Sequence, residues 1–231
     1  MSRYAIGDIH GCVKTFKSLV EEGLKLKKED TLYLLGDLVN KGPDSRGVMD
    51  YIFLLKKENY NIISLRGNHD QMFLNAYYGK IAHYWTTEFG GPKTIKSFEV
   101  DNVEDIPIQY FDFIKDMPYF LELDNCFLVH AGFNFEVGNP LLDIRAMMHS
   151  RKFKLDAEQL GGKRLIHGHV PTPLSEIKYA AEDASPEINL DGGCVYFLND
   201  DLGSLVGMNI DTTELFVKEN IDKPYPIDIK N

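Results

Sequence analysis

Tyr4-Ala5-Ile6-Gly7-Asp8-Ile9-His10-Gly11, followed by Val13 to Leu26 with Phe16, Leu19, Val20 and Leu24 on one helical face, reads as strand, polar turn and amphipathic helix. The same order recurs twice. Thr31 to Leu35 runs into Gly36-Asp37, and a helical pattern spans Val48 to Lys57. Ile62 to Leu65 runs into Arg66-Gly67-Asn68, and Gln71 to Tyr78 again has helical spacing. Three strand–loop–helix units in succession predict an α/β domain built on a buried sheet.

From Tyr78 to Pro118 the chain turns aromatic and polar around Gly90-Gly91-Pro92, with short helices expected at Thr94 to Phe98 and Ile108 to Lys115. This stretch, about residues 78–118, is expected to be a helical insertion lying over one rim of a single domain spanning residues 1–231. Tyr119 to Leu123 and Phe127 to Val129 flank Asp124-Asn125 as a hairpin. Further strands are expected at Arg164 to Ile166, Ile188 to Leu190, Val195 to Leu198, Leu205 to Ile210 and Leu215 to Val217, the last four antiparallel. Two sheets packed face to face between helical layers accommodate the pattern.

The 231 residues are 44% hydrophobic and 26% charged, ordinary for a globular domain that needs no metal or disulfide merely to fold. A net charge of −10 argues against sequence-independent binding to a nucleic-acid backbone, though a bound metal can still attract an anionic substrate. Cys12, Cys126 and Cys194 are odd in number and widely spaced, which predicts reduced thiols and a cytoplasmic protein. No basic leader with an apolar run and no membrane-spanning stretch is expected.

In this reading each chemically interesting group follows an apolar strand, at the sheet rim where α/β folds bind ligands. The groups are Asp8 and His10, Asp37, Asn68-His69-Asp70, His130 and His169. Asp8 and His10 are two apart, so an extended chain would point both to one side. Carboxylate with imidazole is a donor pair suited to Mn, Fe or Zn. The plainer reading of that pair is a helix-capping Asp beside a surface His. Asn68 could likewise be a helix N-cap, and Asp70 reads best as a first-turn carboxylate favoured by the helix dipole.

The ordered motifs GDIHG (Gly7 to Gly11), GDLVNKG (Gly36 to Gly42), GNHD (Gly67 to Asp70), HAG (His130 to Gly132) and GH (Gly168-His169) resemble those of the calcineurin-like metallophosphoesterases. Within them the likeness is to the phosphoprotein phosphatase branch, which holds bacterial and phage serine/threonine protein phosphatases and diadenosine tetraphosphate hydrolases. Trp85, Gly90-Gly91 and Thr94 resemble a W…GG…T segment of small phage-type members, and Asp191-Gly192-Gly193 a late D-x-G turn. The resemblance implies a four-layer αββα fold with a two-sheet sandwich flanked by helices. It implies that Asp8, His10 and Asp37 hold one divalent metal and that Asp37 is shared with a second, completed by Asn68, His130 and His169. Manganese is the expected pair, with Fe, Zn, Ni or Co as substitutes. Two such ions about 3.5–4 Å apart activate water for in-line attack on phosphorus. His69 is then the general acid, and Arg145 binds phosphoryl oxygens with its planar fork.

The second motif departs from the branch's GDxVDRG. Asn40 stands where an aspartate orients the acid histidine, and Lys41 where an arginine binds phosphate. An amide oxygen can orient the His69 ring but supplies no charge to raise its pKa; Lys41 keeps the charge and loses the bidentate fork. Activated substrates are therefore expected to be favoured over alkyl phosphates. The leading expectation is a phosphomonoesterase acting on phosphorylated protein. The rivals are a dinucleoside polyphosphate hydrolase, with Tyr77, Tyr78, Tyr84 and Trp85 as shelf candidates for a base, and a non-catalytic binding module. His83, His149 and His167 are expected at the surface or behind the ligands.

Overall fold

The computed structural model describes residues 1–80, 83–199 and 201–223. A five-stranded sheet has the order β3-β2-β1-β8-β9, and a four-stranded sheet the order β4-β5-β6-β7. In the first, β1 (Arg3–Ile6), β2 (Thr31–Leu34) and β3 (Asn61–Ser64) run parallel, and β8 (Ser204–Asn209) and β9 (Leu215–Glu219) continue it antiparallel. In the second, β4 (Phe120–Glu122) pairs antiparallel with β5 (Cys126–Val129), the expected hairpin. β6 (Arg164–His167) and β7 (Glu187–Asn189) then add in parallel.

Strand residues alternate between faces, and both faces are covered. On β1, β2 and the residue just past β2, Ile6, Leu32 and Leu34 join a large cluster under the helices, whereas Ala5, Tyr33 and Leu35 join one formed with Leu128, Ile166 and Ile188 of the second sheet. On β5, Phe127 and Val129 point instead to an outer cluster with Phe133, Met147 and Leu165. A sheet buried on both sides explains why these strands are apolar throughout.

Helices α1 (Val13–Ser18), α2 (Ser45–Lys57) and α3 (Asn68–Tyr77) follow the first three strands. The expected Val13–Leu26 helix passes from α into a π-helical turn at Leu19–Leu24 and stops at Lys25, which is left-handed with φ 48°. Helices α4 (His83–Thr87), α5 (Gly91–Ser97) and α6 (Ile108–Lys115) make up the helical stretch, and α7 (Ile144–His149) and α8 (Leu174–Glu182) lie in the second half. Phe73 and Tyr77 of α3 pack their rings on Phe111 of α6.

Two expectations about the second half are corrected. Val195 to Leu198 is a run of turns, closed by Tyr196 N–H donating to the Gly193 carbonyl and Asn199 N–H to that of Tyr196. Its apolar residues anchor those turns: Val195 is buried in the large cluster and Tyr196 packs against it. The last four expected strands are not one antiparallel run either, since β7 is parallel to β6 in the other sheet. Among the described residues, no helix is long and apolar enough to cross a membrane.

Candidate active site

Loops at the carboxyl ends of β1, β2, β3, β5 and β6 deliver Asp8 and His10, Asp37, Asn68 and His69, His130, and His169 into one buried cluster. Backbone ties hold the loops together: His10 N–H donates to the Asp37 carbonyl at 2.8 Å and Gly168 N–H to that of His130 at 2.8 Å. The buried Asp70 carboxylate accepts from the N–H groups of Asp37 (2.8 Å), Leu38 (2.9 Å) and Gly67 (2.9 Å), so it clamps the β2 loop to the start of α3. That extends the first-turn role read from sequence. The approach is so close that a Cβ on Gly67 would lie 2.1 Å from Asp37 Oδ1, and one on Gly168 2.3 Å from Asp8 Oδ1.

Asp8 and His10 do face the same site, but not through extended chain. His10 is left-handed (φ 47°), and the turn brings its Nε2 to 3.9 Å from Asp8 Oδ2. Asp37 (φ 51°) and His169 (φ 74°) are left-handed as well.

The histidine tautomers follow from their outer contacts. His10 Nδ1 donates to the Val39 carbonyl (3.0 Å) and His130 Nδ1 to that of Leu35 (2.9 Å). In a neutral ring this leaves Nε2 as a lone pair facing inward. Burial, foremost, keeps these rings neutral: His130 is pushed down to about 3, and His10 and His69 lie well below the usual histidine range, with the Lys41 ammonium adding to the effect.

The inward lone pairs meet other acceptors. His130 Nε2 lies 3.0 Å from Asn68 Oδ1, 3.2 Å from His169 Nδ1 and 3.5 Å from Asp37 Oδ1. The other oxygen of Asp37, Oδ2, lies 3.4 Å from His10 Nε2. Two donor groups thus share Asp37: His10, Asp37 and His69 on one side, and Asp37, His130 and His169 on the other. Asp8 Oδ2 and His169 Nε2 are buried without a hydrogen bond. Burial pushes Asp37 up to about 7 and raises Asp8, where Asp191 and Asp37 add repulsion. Converging lone pairs, an orphaned carboxylate oxygen and a shared carboxylate fit a pair of divalent cations, to which Asp8, His10, Asp37, Asn68, His130 and His169 would be the donors.

Lys41 reaches the same place. Its ammonium donates to His10 Nε2 at 2.9 Å and lies over the Tyr196 ring. The Asn40 amide shows the expectation from sequence to be wrong about which atom faces His69. Its Nδ2 donates to the His69 carbonyl at 3.1 Å and lies 3.4 Å from His69 Nδ1. A carbonyl can only accept, so the amide nitrogen must be on that side. On the other side Thr94 Oγ1 donates to Asn40 Oδ1 at 2.7 Å, within contact of Ser45 Oγ, which accepts from Asn40 N–H. His69 Nδ1 therefore accepts, and the ring proton sits on Nε2.

Sequence reasoning left Ser45 and Asp191 out of the site. Asp191 is buried next to Asp8 and pushed up to about 6 by burial. Arg145 is exposed on the first turn of α7, where it lines a neighbouring cleft. His149 is exposed, and His167 is buried behind His169 with its ring against Phe153. The shelf candidates divide: Trp85 is fully buried, Tyr77 stacks on Phe111, and Tyr78 is exposed. The side chains of His83 and Tyr84 lie outside the described residues.

Residues 1–203 match the model of the family described as calcineurin-like phosphoesterase. The chain belongs to that family. Among relatives of this calcineurin-like phosphoesterase, the symmetrical bis(5'-nucleosyl)-tetraphosphatase of Buchnera aphidicola subsp. Schizaphis graminum is 44% identical over 79 residues, 34% of this chain and 28% of that one. The enzyme of the same name from Nitrosospira multiformis is 31% identical over 134 residues, 57% of this chain and 44% of its own. The matched segments thus span less than half of those relatives. The fold is shared with a protein serine/threonine phosphatase from Saccharomyces cerevisiae at TM-score 0.65 and 13% identity, over 100% of this chain and 82% of that one. A metallophosphoesterase from Sphaerobacter thermophilus superposes at TM-score 0.57 and 14% identity, over 98% and 90%.

Proposed function

We propose that this calcineurin-like phosphoesterase is a dinuclear-metal hydrolase of phosphoric anhydrides, with a dinucleoside polyphosphate as substrate. The observation that carries the choice is the Asn40 amide nitrogen facing His69. A neutral imidazole whose Nδ1 accepts from an amide offers an Nε2–H hydrogen bond but is a poor proton donor. An alkoxide leaving from phosphoserine needs a full proton. A phosphate group leaving from an anhydride does not, because its own pKa is about 6. The names of the tetraphosphatase relatives support the same substrate class.

When bound, the two cations supply an activated water and neutralise charge on the phosphoryl oxygens. The chain's own residues do the rest. Lys41 brings an ammonium to the edge of the donor cluster, where it can pair with a phosphoryl oxygen. His69 hydrogen-bonds the departing phosphate through Nε2. Burial of the whole cluster strengthens both interactions by excluding water. Manganese is the proposed ion and the cytoplasm the proposed compartment.

The test is steady-state hydrolysis by manganese-loaded protein of diadenosine tetraphosphate, a phosphoserine peptide and p-nitrophenyl phosphate. The highest kcat/KM is expected on the tetraphosphate. A higher value on the phosphopeptide would return the assignment to a protein phosphatase, and no turnover of any of the three to a binding module.

A further inference from the structure

Beside the metal-donor cluster lies an open cleft of about 870 Å³, a volume typical of small-molecule sites. One wall belongs to the loop that carries His130: Phe133 and Asn134 line the cleft, and Ala131 N–H donates to the Met147 carbonyl of α7. Phe153 closes the inner end. It packs against His167, next to His169, and sits where a Cβ on Gly132 would fall, 2.3 Å from its Cε1. The cleft therefore abuts the two loops that carry His130 and His169.

Its lining is charge-balanced where the molecule as a whole is acidic: Arg145, Lys152 and Lys154 stand against Glu136, Asp143 and Asp156. In a chain of net charge −10, the segment from Arg145 to Lys154 carries Arg145, His149, Arg151, Lys152 and Lys154 and no acid. Arg145, Lys152 and Lys154 line the cleft and are exposed. Two of its three acids are held by fixed hydrogen bonds within the wall: Asp143 caps α7 through the Ala146 N–H and accepts from Asn134, and Asp156 accepts from Gln159. The half-buried rings of Phe135 and Phe153 form an apolar surface, with centroids 6.0 Å apart and planes at 47°.

We propose that this cleft is the subsite for the nucleotide end of the substrate that is not being attacked. Arg145, Lys152 and Lys154 pair with its phosphates, and Phe135 and Phe153 hold its base. Three exposed cations lining one cleft with an aromatic surface match a polyphosphate ending in a nucleoside, because phosphates need repeated positive charge and a purine needs an apolar face. A phosphopeptide requires only one phosphate site. This inference rests on the anhydride reading above and adds where the rest of the substrate lies.

Adenosine 5′-tetraphosphate titrated calorimetrically into metal-free protein is expected to bind, with affinity at least fivefold weaker in the exposed double variant Lys152→Ala/Lys154→Ala and also weaker in Phe135→Leu. Unchanged affinity in both variants would overturn the subsite. With manganese loaded, the double variant is expected to lose about tenfold more kcat/KM on diadenosine tetraphosphate than on p-nitrophenyl phosphate, which has no second end. Equal losses would overturn it, and a larger loss on a phosphopeptide would assign the cleft to peptide instead. Wild-type protein that binds the tetraphosphate through these lysines yet does not cleave the dinucleotide would refute the proposed reaction and leave the subsite standing.

Discussion

At the scale of single residues, Asn40 carries the most chemical information. Thr94 turns its amide, and the amide nitrogen in turn sets the tautomer of His69. Asn40→Asp replaces a donor by a charged acceptor, so His69 Nδ1 would donate and the ring could hold a second proton. Turnover of a phosphoserine peptide is expected to rise several-fold, with a smaller rise on p-nitrophenyl phosphate; parallel changes on both would contradict the assigned tautomer. Thr94→Val leaves a buried amide oxygen without its donor, a loss of about 1–3 kcal/mol. Its melting temperature should fall together with turnover, whereas Thr94→Ser, which keeps the hydroxyl, should retain most of both. The sequence placed Asn40 next to His69 but not which end of the amide faces the ring. That depends on Thr94, 54 residues away, and no local pattern reports it.

At the scale of elements, the strand–loop–helix units were readable because strands buried on both faces are apolar throughout and the polar loop after each stands out. Asp8, Asp37, Asn68, His130 and His169 were legible for this reason. Val195 to Leu198 misled for the same reason, since a turn anchored in the core is as apolar as a strand. The left-handed backbone of His10 was not visible, because a two-residue spacing is compatible with extended and turned chain alike. A tight joint between elements lies at Gly67, where a Cβ would meet the Asp37 carboxylate and amide. Gly67→Ala has an allowed φ of −89° but no room, so the β2 loop must move off α3. Calorimetry should show manganese affinity lowered by at least tenfold and a reduced melting temperature. Wild-type values in both would mean that the loop yields without cost.

At the scale of the whole molecule, the two sheets meet at a site assembled from carboxylates raised by burial and histidines depressed by it. The histidines are neutral well below pH 6, so their protons do not limit cation binding near neutrality. Asp37, at about 7, does: below that pH it holds a proton that a cation must displace. Manganese affinity of the metal-free protein should therefore climb as pH rises from about 5.5 to 7, and the raised Asp8 carboxyl extends the climb. A profile that is flat across that interval would remove Asp37 from the donor set. Between Asp37 and Lys41, Asp37, Asn40 and Lys41 are all left-handed, a conformation costing about 1–2 kcal/mol per ordinary side chain. Lys41→Gly should accordingly melt higher, by the equivalent of about 0.5–1 kcal/mol, while losing activity. A breeder of heat-tolerant variants who screened by melting curve alone would be led, one substitution after another, to a sturdier protein that had forgotten its trade.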